Sequence, residues 1–312
     1  MLLHQNIKEF RKIVILTATH YGLQEYQIEK DYYISLFLKP LGNMSKNIPI
    51  VFKGGTSLSK CYGVISRFSE DIDLSVIQNK QLTRKQKKDL KQLIIETAKE
   101  IGAEVININE IESRKHFNRY ILKFNSVFNS DVDTLQKLII ETMIAYNPFP
   151  AIYQKTENLI LEYLKIQKKN DIIGQYQLDS FLFLTQSIER TFVDKIFALC
   201  DYHLLNKYER NSRHLYDLHM IRESGLLDKK ILPSLIDNVI AERQKYPEYN
   251  PSVSDGQKPR QLLMNIIDSD VYKTDFNKVT TKLLFQKTTY ETCKNTLYQI
   301  ILSELVPEII NK

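Results

Sequence analysis

The sequence predicts an α+β protein, with a mixed β-sheet flanked by helices in its N-terminal half and a helical domain after it. Three observations lead there. Short apolar segments that read as strands fall before residue 147. Nine glycines and nine prolines leave little punctuation in 312 residues, so most of the chain must lie in long regular elements. Past residue 178 apolar side chains recur at helical spacing almost to the end. Strands early and helices late is the order expected of an α+β core joined to a helical domain.

Taken in order, residues 5–20 and 25–40 read as two amphipathic helices, separated by Gly22 and closed by Pro40-Leu41-Gly42. Residues 49–53 and 71–77 read as strands around a glycine turn and a short helix over 56–63. Residues 81–101 carry lysines and arginines on one side and Leu90, Leu93, Ile94, Ile95 and Ala98 on the other, up to Gly102. That is a surface helix covering a sheet. Residues 103–111, 117–126 and 135–145 read as three further strands. The run Asn147-Pro148-Phe149-Pro150 marks a boundary, giving a core over 1–155 and a mainly helical domain over 156–312. Helices are expected over 180–204, 211–224, 229–245, 258–269 and 290–311.

Composition narrows the class. Hydrophobic residues at 43% and charged residues at 26% are a globular balance, not a disordered one. A net charge of +6 favours a polyanionic partner such as nucleic acid, without deciding for it. Cys61, Cys200 and Cys293 form no CxxC pair, which speaks against a disulfide framework or a zinc knuckle. The N-terminus lacks a leader pattern and no apolar run approaches the roughly 20 residues that span a bilayer, so a cytoplasmic protein is expected.

The chemistry concentrates in residues 50–76. Asp71 and Asp73, at i and i+2 in an extended segment, project to one face. Two like charges held together call for a cation, and magnesium commonly takes one or two carboxylates plus substrate phosphates. Upstream, an apolar strand ends in Gly54-Gly55, followed by Thr56-Ser57 at the start of a helix. Glycine lets a phosphate approach the backbone, and a helix start offers unpaired N–H groups; a plain turn with a helix cap is the other reading. Glu141, inside Leu138-Ile-Ile-Glu-Thr-Met-Ile144, is an acid in an otherwise apolar strand, to be paired with a cation or a metal. Lys195 on an apolar helix must snorkel, meet an anionic ligand, or pair with Asp194 or Asp217. Arg213, His214 and Asp217 share a helix face, as a solvated patch or salt bridge would. Lys53, Lys60 and Arg67 either neutralise Glu70, Asp71 and Asp73 or reach a phosphate, Lys60 being the better placed. The basic runs Arg84-Lys85-Gln86-Lys87-Lys88 and Lys165-Ile-Gln-Lys-Lys169 read as solvated faces, or as contacts to an RNA backbone.

Val51-Phe-Lys-Gly-Gly-Thr-Ser-Leu-Ser-Lys60 with Arg67-Phe-Ser-Glu-Asp-Ile-Asp-Leu74 resembles the AbiEii/AbiGii family of toxins, in the polymerase-β-like nucleotidyltransferase superfamily. Ile28-Glu-Lys-Asp-Tyr-Tyr33 resembles the family's early helix. Glu189-Arg-Thr-Phe-Val-Asp-Lys195 and Arg213-His-Leu-Tyr-Asp-Leu218 resemble its helical motifs, with Asp194 where members often carry glutamate. The resemblance implies a polymerase-β-like core and a helical domain closing a nucleotide cleft. It implies NMP transfer from an NTP to an acceptor hydroxyl, with the tRNA 3′ end as acceptor and an antitoxin as partner. Gly54, Gly55, Thr56, Ser57 and Lys60 would take the phosphates. Asp71, Asp73 and Glu141 would hold two magnesium (or manganese) ions. Lys195 would touch the triphosphate and Asp217 would complete the last motif. The rival readings are a nucleotidyltransferase acting on a small molecule such as an antibiotic, and a non-catalytic nucleotide-binding module.

Overall fold

The computed structural model describes residues 1–45, 48–69, 71–78, 81–112, 116–128 and 137–311. Glu70 and the first two residues of the strand expected over 135–145 lie outside the described residues. The chain forms two compact units, Met1–Tyr62 with Ser69–Thr185, and Gly63–Phe68 with Gln186–Lys312. The first unit therefore runs past residue 155, and the second takes a six-residue loan from the middle of the first.

In the first unit, α1 (Ile7–Tyr21) is capped by Asn6, whose side chain accepts from Glu9 N, and ends at Gly22 in the left-handed region. The next helix, α2 (Glu25–Met44), does not stop at Pro40-Leu41-Gly42 but runs through them. Burial of Phe37, Leu38 and Leu41 outweighs the hydrogen bond that Pro40 cannot donate. Gly42 serves packing there, since a Cβ at that position would press on the Phe183 ring at 3.1 Å.

Then come β1 (Ile50–Lys53), α3 (Gly54–Lys60), β2 (Asp71–Val76) and α4 (Arg84–Glu100), the last capped by Thr83. The strands β3 (Glu104–Val105), β4 (Phe117–Lys123), β5 (Lys137–Met143) and β6 (Ala151–Thr156) follow, then α5 (Leu159–Ile166), α6 (Asn170–Gln175) and β7 (Phe181–Gln186). The strand expected over 103–111 shrinks to the two residues of β3 and a short 3-10 turn. β7 lies where a helix was expected from residue 180. Its apolar run merges in sequence with the helix behind it, and the boundary is Ser187, which caps that helix by accepting from Arg190 N.

The sheet is mixed and seven-stranded, in the order β3-β4-β5-β2-β1-β7-β6. β2 is antiparallel to β1 and parallel to β5; β4 is antiparallel to β5. One face supplies Ile72, Leu74, Tyr120, Leu122, Leu138 and Ile140 to the core, where they meet α1, α2 and α4. Each such side chain contributes about 1.5–3 kcal/mol on burial. Because strand side chains alternate, the neighbouring residues necessarily point to the other face. That face carries the acids.

The second unit is helical: α7 (Ile188–Leu204), α8 (Arg213–Glu223), α9 (Leu232–Arg243), α10 (Pro259–Asp268) and a last helix, Tyr290–Leu302. α8 packs against both α7 and the last helix. Backbone hydrogen bonds tie in the borrowed segment Gly63–Phe68. Phe68 N donates to Leu283 O, Phe285 N to Ser66 O, and Ser66 N to the Tyr216 hydroxyl. No helix among the described residues is long and apolar enough to cross a membrane.

Candidate active site

Asp71 and Asp73 occupy the first and third positions of β2, half-buried, alternating with the fully buried Ile72 and Leu74. They share a face as the i, i+2 spacing requires. Gly54 sits opposite, at the junction of β1 and α3, with φ +80°. A Cβ at Gly54 would lie 2.0 Å from Asp73 Oδ2 and 2.8 Å from its Cγ. The Asp73 carboxylate thus fills the space that any other residue at position 54 would need. Backbone conformation and close approach both demand glycine here.

Strand register extends the arrangement. Lys53 pairs with Asp73, Asp73 with Glu141, and Glu141 with Arg119. Register partners on adjacent strands project to the same side, so β4, β5, β2 and β1 carry a transverse row of charge ordered Arg119, Glu141, Asp73, Lys53. Two acids are flanked by two cations. Glu141 is drawn toward the outer one: its Oε1 lies 3.2 Å from Arg119 Nε. Among the described residues, no group of three histidines, cysteines or acids stands close enough to hold a metal ion. Asp71 and Asp73 form a two-carboxylate platform, which suits magnesium's habit of few protein ligands, while Glu141 is engaged by Arg119.

The hydroxyls expected to meet phosphate turn inward instead. Thr56 Oγ1 donates to Asp71 O and contacts Ser69 Oγ at 2.8 Å; Ser57 Oγ donates to Gly54 O at 2.9 Å. Both residues are buried. They fasten the start of α3 to the start of β2, holding Gly54-Gly55 beside the acids. Lys60 is likewise internal. Its Nζ donates to Asp31 Oδ1 at 2.6 Å, to Asp31 O at 3.0 Å and to Ser35 Oγ at 3.0 Å. All three ammonium protons are thereby used. The second Asp31 oxygen accepts from Leu159 N, so one carboxylate links α2, α3 and the start of α5. Removing the lysine leaves that carboxylate without its cation. Lys60→Met is expected to destabilise the protein by about 3 kcal/mol, read as a lowered thermal midpoint, and Lys60→Arg by less.

In the second unit Asp217 is fully buried between two cations. Arg67 grips it in bidentate fashion, Nε to Oδ1 at 2.7 Å and Nη2 to Oδ2 at 2.8 Å, and Lys195 Nζ lies 2.6 Å from Oδ2. Of the two partners open to Lys195, the structure selects Asp217; Asp194 pairs with Arg190 and Arg243. Burial opposes the Asp217 charge, but Arg67 and Lys195 outweigh it and hold the carboxyl well below the usual carboxylate range. Burial pushes the Lys195 ammonium down, against the pull of Asp217. His214 is kept neutral by burial and by Lys195 and Arg213 beside it. Arg67, expected near Asp71 and Asp73, belongs to this cluster.

Sequence reasoning missed Asp31, Glu29 and Arg119. Glu29 is buried on α2 and accepts from Ser126 Oγ and Val127 N, which tie a loop to the helix. The available signal was three consecutive charges, Glu29-Lys30-Asp31, inside an apolar helix; Lys30 is wholly buried. Arg119 carries no sequence signal beyond its place on a strand. Of the basic runs, Arg84–Lys88 opens α4, which packs on the sheet face opposite the acids. Lys165 pairs with Glu157.

A family model described as nucleotidyl transferase AbiEii toxin, type IV toxin–antitoxin system, matches residues 37–295. That span includes Gly54, Asp71, Asp73, Arg119, Glu141, Lys195 and Asp217, whereas Glu29, Asp31 and Ser35 on α2 precede it. No curated protein sequence matches. Among solved structures the chain is similar to MenT4, a nucleotidyltransferase toxin from Mycobacterium tuberculosis H37Rv. The TM-score is 0.55 at 14% identity, covering 94% of this chain and 90% of that one, and this likeness shows a shared fold. With more than half its length under the family model, the chain belongs to the AbiEii nucleotidyl transferase toxins of type IV toxin–antitoxin systems.

Proposed function

We infer that the protein transfers a nucleoside monophosphate from an NTP to a hydroxyl at the 3′ end of tRNA, in the cytoplasm, and that a cognate antitoxin restrains this activity. The observation that carries the reading is the Asp73 carboxylate seated against Gly54, with Asp71 on the same strand face. A glycine backbone and a pair of carboxylates thus lie side by side. Net charge of +6 accords with an RNA acceptor.

In this reading Asp71 and Asp73 would hold magnesium (or manganese) ions, with Glu141, now engaged by Arg119, as the third acid that could join them. The bound metal supplies positive charge at the α-phosphate and an aligned acceptor oxygen. The chain's own groups do the rest. Gly54 and Gly55 leave backbone N–H groups open to the phosphates. Thr56 and Ser57 keep that backbone in place. Asp73 or Glu141 takes the proton of the acceptor hydroxyl as its oxygen bonds the α-phosphorus, the α–β phosphoanhydride bond breaks and pyrophosphate leaves. Lys195, held beside Arg67 by Asp217, is the residue proposed to touch the triphosphate. Phosphoryl-type transfer needs placement and charge more than covalent help.

The test is incubation with each labelled NTP and magnesium, with total bacterial RNA in one reaction and an aminoglycoside in a parallel one. Label entering tRNA supports the reading; label entering only an aminoglycoside or another small acceptor overturns it in favour of a small-molecule transferase. Gly54→Ala is a second check. The new methyl group must displace Asp73, so transfer is expected to fall about a hundredfold, the scale of an ångström's misplacement. Stability should fall by only about 1–3 kcal/mol.

A further inference from the structure

The geometry points to the exposed face of β4 and β5 as the platform on which the unpaired 3′ end of the RNA acceptor lies. This rests on the transferase reading above and assigns it a binding surface. Phe117, Arg119 and Ile121 alternate on β4 with buried Asn118 and Tyr120. In register beside them on β5 are Met143, Glu141 and Ile139. Phe117 is 42% exposed, a large aromatic left facing outward on the sheet. Arg119 is 51% exposed at its side chain, so its guanidinium keeps donors beyond the one facing Glu141.

A solvent-facing phenylalanine next to an arginine on a strand surface is the chemistry of base stacking and phosphate contact in single-stranded RNA recognition. Duplex would not seat on it, because its bases are already stacked and paired. The placement fits as well. Glu141 and Asp73 continue the Arg119 row inward, and Ile139 pairs with Asp71. From strand spacing and rise, Phe117 stands about 12 Å from Asp73. A strand stacked on Phe117 with its phosphate on Arg119 would bring its terminal hydroxyl to the acids. Arg119 would then have two uses, drawing Glu141 aside in the empty protein and taking RNA phosphate in its place.

The experiment measures binding of a labelled single-stranded oligoribonucleotide without NTP, by fluorescence anisotropy, and magnesium-dependent NTP binding separately. Phe117→Ala is expected to weaken RNA binding about tenfold, within the range for one lost stack. Phe117→Tyr should restore it. Arg119→Ala should weaken binding and lessen its salt dependence. NTP binding should remain at the wild-type level in both Phe117 variants, and circular dichroism confirms folding of all three. Unchanged RNA affinity in both alanine variants, or duplex bound as tightly as single strand, overturns the platform. The transferase reading fails separately, when the wild-type protein places no label in RNA.

Discussion

Asp73→Ala is expected to abolish nucleotide transfer, lowering it at least about a thousandfold. On the proposed reading, that is the several kcal/mol of charge stabilisation a metal held by this carboxylate would supply. Asp73 is the residue to choose because it joins three features. It is the inner acid of the pair on β2, it sits over Gly54, and it is the register partner of Glu141. Its removal vacates a half-buried, solvent-reachable position and leaves the core residues Ile72 and Leu74 untouched, so the fold should survive. The variant should unfold close to the wild-type temperature, since the carboxylate lies outside the apolar core. Initial rates with labelled NTP measure the first effect and thermal unfolding the second. A variant that folds normally and still transfers at a tenth of the wild-type rate would remove Asp73 from the chemistry.

The largest effect on stability belongs to Asp217→Ala. Two buried cations lose their common partner, and breaking such a pair costs about 3–5 kcal/mol. The pH dependence follows from the direction of the shift. The Asp217 carboxyl is held below its ordinary value in the folded protein, so its contribution is fully present above about pH 4, where the unfolded carboxyl is ionised. It is lost progressively as pH falls below that, toward the depressed folded value. Thermal unfolding between pH 3 and 7 should show this loss in the wild type and not in Asp217→Asn. Identical acid dependence in both would place the ion triad outside the stability of the fold.

Much of the site could be read from sequence because local rules create it. The i, i+2 spacing of Asp71 and Asp73 fixes their common face wherever a strand forms. A Gly-Gly pair between strand and helix fixes the kind of backbone between them. What could not be read depended on register and on partners distant in sequence. Nothing near Glu141 announces that β5 lies parallel to β2 with Arg119 across from it. Nothing near Lys60 announces Asp31, 29 residues away, so a cation expected at a phosphate proved to be an internal anchor. Lys195 divides the same way: its need for an anion was legible from its apolar helix, whereas the identity of that anion required the fold. Among secondary elements, β7 was hidden by an apolar run continuous with α7. Pro40 misled because tertiary burial overrode it.

The chain's passage from one unit to the other at residues 63–68 has a consequence for how the protein can be divided. Arg67 is separated by sequence from the rest of its cluster, so a fragment starting at residue 186 would contain Asp217 but lack the guanidinium that neutralises it. A fragment ending at residue 185 would carry that arginine with no carboxylate to receive it. Neither half is a portable module. Separately expressed pieces should be insoluble and recover only when mixed, and recombination between relatives within this interval should yield dead hybrids unless both parents agree at positions 67 and 217.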